Sequence, residues 1–214
     1  PEAHRHDRVG VRNGIPGSKS DRLTETPRGT AGAGPSASGA PPHVVDGRGK
    51  RGRAMKTKED LFAADAARDA AVCGRRLSAP ASVRPDLAAS GAHDPTPTPY
   101  FILDELLAPL GLGPGDHLLD VGCGTGRVLA YAADRLRCRA TGVELDEGLA
   151  SVASSWASAH PRLRVVAGSA LDIPLAPYTC FYLFNPFDTD VLTRFLDKVE
   201  REAARPVALV HMSD

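Results

Sequence analysis

Residues 118–129 read Leu-Leu-Asp-Val-Gly-Cys-Gly-Thr-Gly-Arg-Val-Leu, an apolar run that meets an acid and then breaks into three alternating glycines. Few features restrict a fold more. Leu118 and Leu119 read as the end of a buried strand, and Val128 and Leu129 as the start of a helix. Glycine takes positive φ without strain and lets another group approach the backbone closely. In an open parallel sheet, the turn after the first strand lies where ligands bind, beyond the carboxyl ends of the strands. A helix starting near Gly126 offers free N–H groups to a polar ligand. A tight turn alone needs one glycine, so three in alternation predict a ligand seated against them.

The rest of the chain supplies the sheet. Short apolar runs predict strands at 117–121, 139–144, 162–167, 180–184 and 206–211, with helices at 126–136, 147–160 and 189–202. The runs lack strict alternation, as expected of strands covered on both faces. Strand and helix alternating over short connections give a parallel sheet with right-handed crossovers. The predicted class is α/β, a Rossmann-like parallel sheet with helices on both faces. Ahead of it, Thr98-Pro99 predicts a helix start, with Thr98 as cap and a stripe of Phe101, Ile102, Leu106, Leu107 and Leu110. Farther upstream, Thr57 caps a helix with Glu59 and Asp60 in its first turn and Gly74 as its stop. That helix has few large apolar residues beyond Leu61, Phe62 and Val72, so it packs loosely or covers something. Three regions follow: 1–54, a disordered tail or an extension ahead of a start at Met55; 55–97, a helix and linker; and 98–214, the sheet domain.

Lys plus Arg and Asp plus Glu both number 26, so no net field favours nucleic acid or an anionic membrane. The basic stretch 47–53 reads as a solvated charge run. Cys73, Cys123, Cys138 and Cys180 form no C-x-x-C pair, which argues against a zinc site or a disulfide framework and suits a cytoplasmic protein. No metal site is expected.

Spacing narrows the ligand. A dinucleotide turn of the form G-x-G-x-x-G would put its third glycine at position 127, which is Arg127. No Gly-Lys-Ser/Thr follows, so the phosphate-loop pattern fails as well. A glycine turn without phosphate machinery suits a nucleoside. The strand ending in Glu144 comes about 20 residues after the turn, where a carboxylate can pair with two ribose hydroxyls.

Together, LLDVGCGTG, GVELDEG, AGSALDIP and YLFNPFD resemble the class I S-adenosylmethionine-dependent methyltransferases over about residues 95–211. TPTPYFILDELL and FNPF resemble a bacterial group within that class. The resemblance implies that Gly122, Gly124 and Gly126 face the methionine end of the cofactor, with Asp120 organising the turn and the amino group. It implies Glu144 on the ribose, Leu145 on the adenine face, and Ser169 and Ala170 at the adenine edge. Ser169 stands where the family commonly has Asp, a neutral and weaker contact. Asn185 and Pro186 resemble an Asn/Asp-Pro-Pro-aromatic segment that grips a target nitrogen, although one proline is missing. Tyr100 is a second candidate for the reacting face. His117 and His160 read as structural or exposed.

The implied activity is methyl transfer from S-adenosylmethionine to an acceptor, a small molecule or protein rather than nucleic acid, with nitrogen as a candidate atom. A non-catalytic cofactor-binding or interaction scaffold is the alternative, and an aminopropyl-transferring enzyme ranks below both. The full class I sheet has strand order 3-2-1-4-5-7-6, with a closing hairpin. Here the sequence stops after the fifth strand, so the expectation is five strands, an open edge at 206–211 and marginal solubility.

Overall fold

A computed structural model describes residues 9–13, 57–77 and 82–213. Its centre is an all-parallel sheet of six strands: β1 Val9–Asn13, β2 His117–Val121, β3 Arg139–Glu144, β4 Leu163–Ala167, β5 Cys180–Phe184 and β6 Val207–Met212. They lie in the order β1-β6-β5-β2-β3-β4. From β2 onward this is the predicted α/β sheet. The order reverses beside β2, which pairs with β3 on one side and β5 on the other.

The open edge is the first correction. β1 pairs in parallel with β6, from Val9 opposite Val207 to Asn13 opposite His211, so β6 has a neighbour on both sides. The expectation of five strands missed a five-residue strand inside a stretch read as disordered. Two valines around a glycine are too short a pattern to stand out among Gly, Pro and Arg, yet an unpaired parallel edge rewards even five paired residues. The rest of residues 1–54 lies outside the described residues.

Among the described residues the further elements are α1 Lys58–Cys73, α2 Pro85–Ala88, α3 Tyr100–Leu106, a short 3-10 turn at Ala108–Leu110, α4 Arg127–Arg135, α5 Glu147–Ala157 and α6 Thr189–Glu202. The central strands send alternate side chains to opposite faces. Leu118, Cys180 and Tyr182 join one apolar cluster with Leu103 of α3, Leu129 of α4 and Trp156 of α5. Leu119, Phe181 and Leu183 join the other with Leu175 and with Phe195 and Val199 of α6. No helix among the described residues is long and apolar enough to cross a membrane.

The caps follow the sequence in part. Thr57 and Asp60 form a reciprocal capping box on α1, and Gly74 closes that helix at φ 68°. Thr98 does not cap α3. Pro99 holds that position, and the Thr98 hydroxyl instead lies 2.8 Å from the Tyr182 hydroxyl. The predicted stripe also shifts, because Tyr100, Leu103 and Leu107 are the buried residues while Phe101 is exposed.

The inner face of α1 is ionic. Asp65 and Asp69 are buried there and hold Arg127, the first residue of α4, at 3.3 and 2.8 Å. A helix with little apolar surface is thus docked by charge-assisted hydrogen bonds.

Candidate functional site

A cavity of about 400 Å³ opens beyond the carboxyl ends of β2, β3 and β5, at the point where strand order reverses. Asp120, Gly122, Gly124, Glu144, Leu145, Ser169, Ala170, Asn185 and Pro186 all line it. Nine of the predicted site residues, drawn from four separate stretches of chain, therefore meet at one opening.

The glycine turn is anchored to β3, because the N–H groups of Gly122 and Cys123 both donate to the Val143 carbonyl, at 2.9 and 3.1 Å. Its three glycines have φ of 74°, 54° and 96°, so backbone conformation alone calls for all three. Only one of them leaves room beside the chain. A Cβ on Gly122 would sit 2.9 Å from Pro186, and one on Gly126 would sit 2.8 Å from Trp156. At Gly124 the nearest atom is Pro95 Cβ at 3.6 Å. The reading of three glycines as ligand clearance is corrected to one: Gly122 and Gly126 are close-packed against the protein's own side chains. Gly126 does not line the cavity itself and acts as the N-cap residue of α4.

Two acids define the polar floor. Glu144 is almost fully buried; its Oε2 accepts the Gly124 N–H at 2.7 Å and its Oε1 accepts the Asp146 N–H at 2.9 Å. A carboxylate has about four lone-pair sites, so each oxygen keeps one for a further donor. Burial pushes the Glu144 carboxyl up, and these N–H groups draw it part of the way back. Asp120 is 3% exposed, and its Oδ2 has no hydrogen-bond partner among the described residues. Burial, then the nearby charge of Glu144, pushes its carboxyl up to about 8. A buried carboxylate oxygen left unpaired beside a cavity lacks a donor.

Leu145, an exposed large apolar side chain, lines the cavity together with Ser169 and Ala170. The Ser169 hydroxyl accepts the Leu171 N–H at 3.1 Å, so it shapes its own turn as well as facing the cavity.

Tyr100 is placed elsewhere. Its hydroxyl donates to Asp69 at 2.9 Å, its ring is buried, and it does not line the cavity. Burial, then Asp69, raises its phenol well above the ordinary value. As a reacting-face residue Tyr100 is therefore corrected to part of the α1 docking network, since the residues that capture it lie 31 positions upstream. His117 sits at the opposite end of β2 against Thr141, and burial lowers it to about 4.

Sequence reasoning missed the strap at residues 82–98. It lines the cavity with Leu87, His93 and Pro95 and is fastened across it. Asp188 N–H donates to the Gly91 carbonyl at 2.9 Å, Ala92 bridges Phe187, and His93 Nδ1 lies 3.1 Å from the Asn185 carbonyl. The signal lay in residues 83–97 carrying two Asp, His and three Pro, more polar punctuation than a plain linker needs.

Residues 118–205 match the model of a family described as a methyltransferase domain. A demethylmenaquinone methyltransferase of Symbiobacterium thermophilum is 32% identical over 80 residues, which is 35% of this chain and 32% of that protein. The chain thus spans about a third of the length of this curated relative. An RNA methyltransferase from Salinibacter ruber, solved with S-adenosyl-L-homocysteine, superposes with a TM-score of 0.50 at 22% identity, over 56% of this chain and 79% of that one. Geranyl diphosphate C-methyltransferase from Streptomyces coelicolor A3(2) gives a TM-score of 0.45 at 24% identity, over 53% of this chain and 43% of that one.

Proposed function

We propose that this chain, whose residues 118–205 match the model of a methyltransferase-domain family, transfers a methyl group from S-adenosylmethionine to a small-molecule or protein acceptor. One observation carries the reading. Asp120 Oδ2, buried and unpaired, and Glu144, with a lone pair spare on each oxygen, flank the one uncrowded glycine of the turn. The arrangement suits a ligand with an ammonium group at one end and a ribose diol at the other. Gly124 would lie against the methionine end, Asp120 would receive the amino group, Glu144 would receive the two ribose hydroxyls, and Leu145 would cover the base.

S-adenosylmethionine supplies an electrophilic methyl group on a sulfonium, whose thioether leaves without acid assistance. What remains for the protein is to hold an acceptor in line and to keep water out. The strap and the Asn185–Phe187 turn, joined through Ala92 and Phe187, line the cavity and would supply part of that exclusion. Cys123 takes no part as a nucleophile, because burial raises its thiol well above the ordinary value.

The nitrogen-directed reading would use the Asn185 side-chain oxygen and a backbone carbonyl of the turn to orient an N–H. The backbone carbonyls of Asn185 and Pro186 each accept one bond from His93 and keep one lone pair, so the turn is compatible with that reading without selecting it. Titration calorimetry with S-adenosylhomocysteine tests the cofactor assignment. Binding is expected in the micromolar range, and its absence refutes the assignment. The rival reading, a cofactor-binding scaffold without catalysis, predicts the same binding and no labelled product from any acceptor supplied with labelled cofactor.

A further inference from the structure

The turn after β5 is the place to ask what the acceptor is. Asn185 is the one non-glycine residue with positive φ among the described residues, at 43°. Its N–H donates to the Met212 carbonyl at 2.9 Å, so the residue is anchored to β6 while the chain turns away from the sheet. Its carbonyl meets His93 Nδ1 at 3.1 Å, and the His93 backbone N–H donates to the Pro186 carbonyl at 3.4 Å. A carbonyl oxygen can only accept, so Nδ1 carries the proton in the first of these bonds. The lone pair of the neutral ring then sits on Nε2. That nitrogen has no partner among the described residues, and the residue lines the cavity.

The surroundings do not offer His93 a structural ion pair. Asp94 accepts the Val83 N–H, and Asp188 caps α6 by accepting the Val191 N–H, so each carboxylate already has backbone work. Arg194 also lines the cavity and forms no salt bridge among the described residues. The walls nearest the strap are apolar: Leu87, Phe187 and Val191, all half-buried. A fixed tautomer, a free imidazole nitrogen and an apolar wall form a setting for removing a proton from a weakly acidic, largely apolar nucleophile.

We propose that His93 is the general base of this chain's reaction and that the acceptor is a phenolic or enolic hydroxyl compound rather than an amine. This rests on the cofactor reading above. A neutral hydroxyl is a poor nucleophile and gains most from losing its proton as it reacts, whereas a neutral amine attacks first and sheds its proton afterwards. The acceptor oxygen forms its bond to the methyl carbon, the carbon–sulfur bond breaks, and that electron pair stays on sulfur as a thioether. The hydroxyl proton passes to Nε2 of His93, and the exposed imidazolium returns it to water.

Two measurements test the proposal. In the uniformly labelled free chain, nitrogen NMR should show His93 as the Nδ1–H tautomer, and an Nε2–H tautomer overturns it. Methyl transfer is then followed for wild type and His93→Gln with three probe acceptors at neutral pH: para-methoxyphenol, which is un-ionised, pentafluorophenol, which is already ionised, and benzylamine. The variant should lose about 10²–10⁴-fold in kcat on para-methoxyphenol. It should lose less than about tenfold on pentafluorophenol, because no proton remains to be removed. KM and the affinity for S-adenosylhomocysteine should stay near wild type. Equal losses on both phenols overturn the proposal, as does wild-type turnover of benzylamine alone or of no probe at all. A wild-type chain that fails to bind S-adenosylhomocysteine overturns the cofactor reading itself, and this one with it; normal binding without phenol turnover overturns the phenolic acceptor and the role of His93 and leaves the cofactor reading standing.

Discussion

Asp120→Asn should make the protein more stable and its cofactor binding worse. The carboxyl is buried, its Oδ2 is unpaired, and burial together with Glu144 pushes it up to about 8 from an ordinary 3.8. The sign follows from that order. In the unfolded chain the group ionises near pH 4, whereas in the folded chain ionisation is held off to about pH 8. The penalty is therefore absent at pH 4, grows as pH rises through the interval between the two values, and is complete near pH 8. Asparagine keeps the shape and removes the charge, but its own amide N–H₂ inherits the unpaired position. That unpaired position is common to both side chains and cancels, so the net gain at pH 8 is what remains of the ionisation penalty after local relaxation, about 1–3 kcal/mol. For a chain of this size each kcal/mol moves Tm by about 2–4 °C, so a rise of roughly 3–10 °C is expected. Thermal melts of both proteins at pH 8 and pH 4.5 measure this, and the gap should close at the lower pH. Calorimetry with S-adenosylhomocysteine should show affinity falling by about tenfold or more, the loss of a hydrogen bond to a charged group. A less stable variant at pH 8, or one that binds as tightly as wild type, refutes the assignment of Asp120 to a ligand.

Glu144→Ala removes both accepted backbone N–H bonds and the ribose partner, so S-adenosylhomocysteine affinity should fall by more than about a hundredfold, with each charge-assisted bond worth about 1.5–3 kcal/mol; calorimetry decides. Gly124→Val forces a β-branched residue to φ 54° beside Pro95, and should cost about 1–2 kcal/mol in urea melts while abolishing cofactor binding. Arg127→Met leaves Asp65 and Asp69 buried without their cation, so unfolding free energy should drop by about 3–5 kcal/mol, with Arg127→Lys recovering only part. A chain starting at Met55 loses β1 and leaves the edge of β6 open; light scattering should show more self-association, while affinity for S-adenosylhomocysteine stays within about threefold.

The elements from β2 to β6 were legible because each is a strong, uninterrupted signal: short apolar runs, and helices opened by Asp146 and Asp188, both of which cap as their residue type suggests. The cavity residues were legible as a set because the sheet's topology dictates where strand ends meet. What failed was tertiary. Tyr100 looks like a cofactor-facing aromatic until Asp69, far away in sequence, takes its hydroxyl. Thr98 has the residue type of a cap, but a neighbouring tyrosine offers its side chain a buried partner. The α1 helix reads as poorly amphipathic because its buried face is Asp65 and Asp69, and hydrophobic periodicity cannot register an interface made of ions. His93 carried no local pattern at all, since its significance comes from a carbonyl 92 residues on.

The pairing of β1 with β6 places the first described strand against the last. On a ribosome, β1 emerges long before its partner exists, and every other strand can find a neighbour before it does. Closing the loop between Val9 and Val207 costs entropy that no local contact offsets, so this ladder should form late and open early. Until this pairing forms, the nascent chain exposes an unpaired strand at the edge where chains join one another.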